Sequence, residues 1–232
     1  MKFEVRHFHA GYGRVEVVRD VNMSVADGET LAILGRNGMG KSTLLKGLVG
    51  LLPDVRGSAR LDDRETVGRA TNEIIRRGVA YAGQDGAIFG DLTVQENLDA
   101  ATLWIAPDAR REGRILSFFP VLDERRSQRA GTLSGGEQRM LALCRVLLAS
   151  PGLIVLDEIS AGLQPAKVAA VEEALRWERQ TRGTTILMVE QNLGLSLRLA
   201  NRIAVMKLGK IVLDAPADRP GLADELATQL AP

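Results

Sequence analysis

The chain has 232 residues, 45% hydrophobic and 25% charged, which is enough apolar material for one substantial core and fits one domain with an insertion better than two. A formal net charge of +1 gives no general attraction to nucleic acid or anionic lipid; Arg76 with Arg77 and Arg125 with Arg126 read as solvated faces, and no nucleic-acid partner is expected. The single cysteine, Cys144, lies in an apolar stretch as a small buried hydrophobe, which suits the cytosol. The first residues lack the apolar core of a signal peptide and no run approaches the ~18 apolar residues of a spanning helix, so any membrane connection is expected through a partner.

From Lys2 to Val25, apolar residues spaced largely by twos and broken at Gly11 and Gly13 predict short antiparallel strands. Thr30 to Leu34 is a short apolar strand, Gly35 to Gly40 a glycine-rich loop, and Ser42 to Leu52 a helix that stops at Pro53. A short strand follows at Val79 to Ala82. Roughly Asp91 to Ala130 is rich in helix formers and arginine; carried up to the next strand, this helical insertion spans approximately residues 91–150. Leu153 to Leu156 and Thr185 to Val189 are apolar strands separated by a helix from Ala166 to Arg182 that Gly183 ends, a βαβ crossover in a parallel sheet. Ile203 to Met206 and Lys210 to Leu213 form a hairpin across Gly209, and Ala223 to Leu230 is a terminal helix. The expected class is α/β, a P-loop NTPase core with an antiparallel β lead-in and a helical insertion.

Gly35-Arg36-Asn37-Gly38-Met39-Gly40-Lys41-Ser42, followed by Thr43, matches the phosphate-binding loop pattern at every fixed position, between a strand and a helix. The glycines let backbone N–H groups approach phosphate oxygens, the helix N-terminus adds partial positive charge, Lys41 adds a full one, and Ser42 can ligate Mg²⁺. Leu153 to Glu158 is an apolar strand that delivers two carboxylates at its C-terminal end, where ligands collect in open parallel sheets. Successive strand side chains point apart, so the two divide the work: Asp157 holds Mg²⁺ beside Ser42, and Glu158 reaches the water that attacks the γ-phosphate and acts as its base.

These motifs alone define only a P-loop NTPase. No Asn-Lys-x-Asp guanine-reading sequence is present, whereas Leu133-Ser134-Gly135-Gly136-Glu137-Gln138 stands just before the second strand. The Ser134 hydroxyl and the Gly135 and Gly136 N–H groups open a helix, a second anion site. With this hexapeptide the sequence resembles the ABC ATPase family over nearly its whole length. The resemblance implies that Tyr12 stacks on adenine and that Gln84 touches Mg²⁺ and the attacking water and links the site to the helical insertion. It also implies that Ser134 to Gln138 meet the γ-phosphate of an ATP held by an opposing subunit, so that two chains sandwich two nucleotides.

Three positions depart from the family pattern. Gln191 stands where most members carry a γ-phosphate histidine; it can donate through its amide but cannot carry charge, so hydrolysis leans more heavily on Glu158. The only histidines, His7 and His9, read as outward or edge residues of the first strand. Ile159 replaces a proline, and Gln164 replaces an aspartate that commonly crosses the dimer interface, removing a charged acceptor there.

Val189 to Asn192, Ser160 to Leu163 and the stretch Phe118 to Arg126 resemble the ATPase subunit of branched-chain amino acid importers, a subgroup that also serves other amino acids, amides and urea. That resemblance implies ATP and Mg²⁺ as cofactors, transmembrane permease subunits, a second ATPase subunit that is either identical or related, and, indirectly, a periplasmic solute-binding protein. It places the chain peripherally on the cytoplasmic face of the inner membrane, and the short stretch after the last hairpin leads us to expect no appended regulatory domain. Three rival readings remain. One is an ATPase for another cargo, especially lipopolysaccharide export. Another is a soluble ABC ATPase of DNA repair or translation, disfavoured by the single cassette and the lack of a long coiled-coil insertion. The last is a nucleotide-binding regulator without turnover, disfavoured by Glu158.

Overall fold

A computed structural model describes residues 1–84, 88–106 and 108–230. The lead-in is two long strands, β1 (Phe3–Tyr12) and β2 (Val15–Val25), paired antiparallel with register shifts near Phe8 and Ala10. β3 (Thr30–Leu34) then runs into the glycine-rich loop and α1 (Lys41–Leu48). The helix closes four residues earlier than expected because tertiary contacts take over the chain: the Gly50 carbonyl accepts a 2.8 Å bond from Thr71 Oγ1.

Next come β4 (Val55–Leu61), β5 (Arg64–Glu65) and α2 (Thr71–Arg76), which sequence periodicity does not announce, and then β6 (Val79–Ala82). β4 pairs with β1, giving an antiparallel sheet of order β2-β1-β4-β5. Of its side chains only Ala59 and Leu61 are buried, so its apolar alternation is too short to read.

Among the described residues between β6 and β7 (Leu153–Asp157) lie four α-helices, α3 (Val94–Ala101), α4 (Ala109–Ser117), α5 (Pro120–Glu124) and α6 (Gly135–Leu148), with a 3-10 turn at Ala130–Thr132. Two open on capping boxes, Thr93 with Glu96 and Ser134 with Glu137, which satisfy N–H groups that a helix start leaves without partners. The remaining elements are α7 (Pro165–Arg182), ended at Gly183 as expected, β8 (Thr185–Glu190), α8 (Leu193–Leu199), β9 (Arg202–Lys207), β10 (Lys210–Pro216) and α9 (Leu222–Leu230).

The main sheet has the order β10-β9-β3-β8-β7-β6, parallel except for β10. Both faces are covered. Leu31, Ile33, Val155, Leu187 and Val189 face α1 and the antiparallel sheet, while Ala32, Leu34, Ile154, Leu156 and Met188 face α6, α7 and the inserted helices. Each large side chain buried this way contributes about 1.5–3 kcal/mol, so neither face tolerates polar alternation and the strands read as continuous apolar runs. Cys144 is completely buried in the second of these cores, and burial pushes its thiol far above the usual range. No helix among the described residues is long and apolar enough to cross a membrane.

β8 lies between β3 and β7, with Glu190 level with Leu34 and Val189 level with Asp157. The loops that leave the C-terminal ends of these three strands therefore converge at one place, the crevice where open parallel sheets bind ligands.

Candidate active site

The loop after β3 wraps the start of α1. Gly40 takes φ +100°, a conformation that L side chains rarely adopt, and a Cβ on Gly35 would stand 2.6 Å from the Met206 carbonyl, so this loop needs glycine at both positions. The turn between β9 and β10 holds the loop from outside: Gly209 N–H donates to Met39 O at 3.0 Å, and Arg19 N–H donates to Gly209 O at 2.8 Å.

Lys41, only 4% exposed, donates to Gly35 O at 2.8 Å and Arg36 O at 3.1 Å and pairs with Glu158 Oε1 at 3.2 Å. Ser42 Oγ donates to Asp157 Oδ1 at 2.9 Å, and Tyr81 OH reaches the other carboxylate oxygen at 3.4 Å. Burial pushes the Asp157 carboxyl above its ordinary range; the neighbouring Glu158 charge adds to this, while the Ser42 bond opposes it.

The two carboxylates are separated differently from the sequence expectation. Glu158 lies just beyond β7 with φ +51°, so a left-handed turn, rather than strand alternation, parts it from Asp157. Its N–H donates to Val189 O at 2.9 Å. Glu158 Oε2 accepts from Gln191 Nε2 at 2.8 Å and from Gln84 Nε2 at 3.3 Å, and Gln191 also donates to Asn37 Oδ1 at 2.7 Å. One carboxylate thus gathers residues from three other segments far apart in sequence.

The cleft above them has a volume of about 350 Å³ and is lined by the loop residues Asn37 to Thr43 with Val17, Gln84 and Glu158. The family model described as ABC transporter matches residues 18–161, well over half of the chain. The chain belongs to the ABC transporter ATPase family. It is an ATP-binding and ATP-hydrolysing transporter subunit.

Relatives of this ABC cassette differ in cargo. The high-affinity branched-chain amino acid transport ATP-binding protein BraG of Pseudomonas aeruginosa is 40% identical over 204 residues, 87% of each chain. The lipopolysaccharide export ATP-binding protein LptB of Acidithiobacillus ferridurans is 34% identical, covering 87% of this chain and 84% of the relative. Among solved structures, the dimeric bacterial ABC transporter cassette MJ0796 superposes with a TM-score of 0.82 at 21% identity, over 93% of this chain and 98% of that one, a likeness of fold.

Not every site residue expected from sequence meets at this cleft. Tyr12, 51% exposed, ends β1 on the antiparallel sheet. Ser134 to Gln138 begin α6 and do not line the cleft. Within the signature, the Glu137 carboxylate accepts from Ser134 N–H at 2.9 Å and from Arg125 at 3.3 Å, and Gln138 Nε2 donates to the carbonyl of Leu133 at 3.2 Å. Those two side chains are turned back onto the chain, and the Ser134 hydroxyl accepts from Glu137 N–H at 3.4 Å as the cap of α6. Gln84 is the last described residue before 85–87, so the expected link from it toward the inserted helices lies outside the described residues.

Sequence reasoning passed over Val17, Tyr81 and the Gly209 turn. Val17 and Tyr81 sit in strands whose pattern marks only a half-buried position, and Gly209 reads only as a hairpin turn.

Proposed function

We propose that this cassette powers the uptake of branched-chain amino acids or closely related solutes through separate transmembrane permeases. The observation that carries this reading is the 40% identity to BraG across 87% of both chains. The relation to LptB keeps lipopolysaccharide export as the second reading. The cassette would act at the cytoplasmic face of the cell membrane, fed indirectly by a solute-binding protein on the other side.

In this reading Tyr12 stacks on adenine and the N–H groups of residues 35–43 with Lys41 hold the phosphates. Glu158 removes a proton from the attacking water, Gln84 and Gln191 orient that water and the γ-phosphate, and Ser134 to Gln138 of a second ATPase subunit close the same site from the other side. Two hard oxygen donors, Ser42 Oγ and the Asp157 carboxylate, stand 2.9 Å apart beside the phosphate loop, a donor set that fits Mg²⁺ ligated partly by phosphates and water. When bound, Mg²⁺ supplies charge neutralisation on the β- and γ-phosphate oxygens. The dimeric arrangement of MJ0796 supports pairing of two cassettes, and the insertion at about 91–150 would carry the signature toward its opposing site.

Affinity purification of the tagged chain from detergent-solubilised membranes of its own host, with identification of the copurifying proteins, tests the cargo. Permeases and a second ATPase of an amino acid importer are the expected result. Permeases of a lipopolysaccharide exporter would replace this reading with the second.

A further inference from the structure

The turn that carries Glu158 is gripped by a residue that none of the recognised motifs assigns. Glu190, the last residue of β8, is 1% exposed, and its carboxylate accepts from Ser160 N–H at 3.0 Å and from Ser160 Oγ at 2.6 Å. One step back, Val189 O accepts the Glu158 N–H. The end of β8 therefore binds the turn at both Glu158 and Ser160, immediately before the chain continues into Gln191.

An ionised carboxylate is an acceptor-only group, and here each of its two oxygens accepts from a donor of Ser160. A carboxamide would turn an NH₂ toward at least one of those donors. A buried acid is costly to keep in such a place unless its donors are fixed. Glu158 adds a conformational reason, because its φ of +51° is unfavourable for a side chain with a Cβ and persists only where neighbouring bonds impose it. The Ser160 bonds lie two residues from that strained position.

We propose that Glu190 is a positioning residue for hydrolysis: clamped to Ser160 and directly preceding Gln191 in the chain, it fixes the Glu158 carboxylate and the Gln191 amide at their 2.8 Å contact. The same turn continues to Leu163, whose Cδ2 lies 3.0 Å from where a Cβ on Gly136 would stand, so the clamp also fixes the segment that packs on the start of α6. This inference rests on Glu158 and Gln191 acting as proposed above.

The test is steady-state phosphate release by the full chain at varied ATP, with thermal unfolding and nucleotide binding measured alongside. Glu190→Gln is expected to lower kcat about tenfold with KM for ATP within about twofold, the pattern of an interaction that serves the transition state rather than ground-state binding. Ser160→Ala is expected to lose about threefold in kcat, Ser160→Thr to retain the rate by keeping the hydroxyl donor, and the Glu190→Gln/Ser160→Ala double variant to be no slower than Glu190→Gln alone. If Glu190→Gln does not fold, the Ser160→Ala and Ser160→Thr pair decides the matter. Wild-type kcat in folded Glu190→Gln and Ser160→Ala, or losses confined to KM, or fully additive losses, would overturn the proposal. Glu158→Gln is run in parallel: wild-type turnover there removes the base assignment itself, whereas a dead Glu158→Gln beside an unaffected Glu190→Gln removes only the positioning role.

Discussion

Gln191 bridges Glu158 and the phosphate loop, its amide nitrogen lying 2.8 Å from Glu158 Oε2 and 2.7 Å from Asn37 Oδ1. The neutral side chain at the family's histidine position is thus held by two acceptors, one of them the carboxylate read as the base. It brings hydrogen-bond direction to the site without adding charge.

Gln191→Ala is expected to slow turnover about tenfold, the effect of removing one neutral hydrogen bond of roughly 1.4 kcal/mol from the transition state. Gln191→His should stay active, since an imidazole can donate in the same direction. Phosphate release at saturating ATP, with nucleotide affinity determined separately, decides the point. A Gln191→Ala variant as inactive as one lacking the base, yet binding ATP normally, would make the glutamine essential.

Glu158→Gln keeps the size of the side chain and removes its basicity, so turnover should fall by about 10²–10⁴-fold while nucleotide binding persists. The substitution also removes the partner of Lys41, which keeps its bonds to Gly35 O and Arg36 O. Trapped nucleotide measured by filter binding and a larger species on gel filtration with ATP and Mg²⁺ are the expected readouts. Normal phosphate release would sink the assignment.

The inserted helices are anchored by Arg111 of α4, which donates to Glu178 of α7 at 2.6 Å and to Leu147 O at 2.7 Å. Glu178 is fully buried and retains Thr184 Oγ1 at 2.8 Å and Arg182 at 3.5 Å if Arg111 is lost. Arg111→Met should therefore destabilise by about 3 kcal/mol, the low end for breaking a buried pair, and the Arg111→Met/Glu178→Met double variant should recover most of that. Urea unfolding of the single and double variants gives the answer; a single variant as stable as wild type would show that the pair does not anchor the insertion.

Glu137 gives the signature helix a pH dependence. Burial works to raise its carboxyl, but the Ser134 N–H and hydroxyl, and then Arg125, outweigh it, and the net shift is downward. A carboxyl depressed in the folded state stabilises fully above its unfolded value of roughly pH 4.3, and that contribution disappears as pH falls through the lower folded value. The stability gap between wild type and Glu137→Gln should thus be widest near neutrality and close as the pH drops below about 4. Denaturant midpoints collected across that range check the sign; a gap that widens on acidification contradicts it.

Local chemistry made much of this protein legible from sequence. The phosphate loop, the Asp157 and Glu158 pair, the signature and the Gly183 helix stop each depend on neighbours within a few residues, and so do the apolar runs of a sheet buried on both faces. What sequence could not supply were relations set by packing. β4 exists because β1 offers an edge to pair with, β5 pairs in turn with β4, and α1 ends at Leu48 because the chain beyond it is taken by Thr71. The left-handed turn at Glu158, its bond to Gln191, and the grip of Glu190 on Ser160 join residues about thirty positions apart across adjacent strand ends. A linear pattern carries the identity of such residues but not their distance, because only the parallel order β3-β8-β7 brings three strand ends to one crevice.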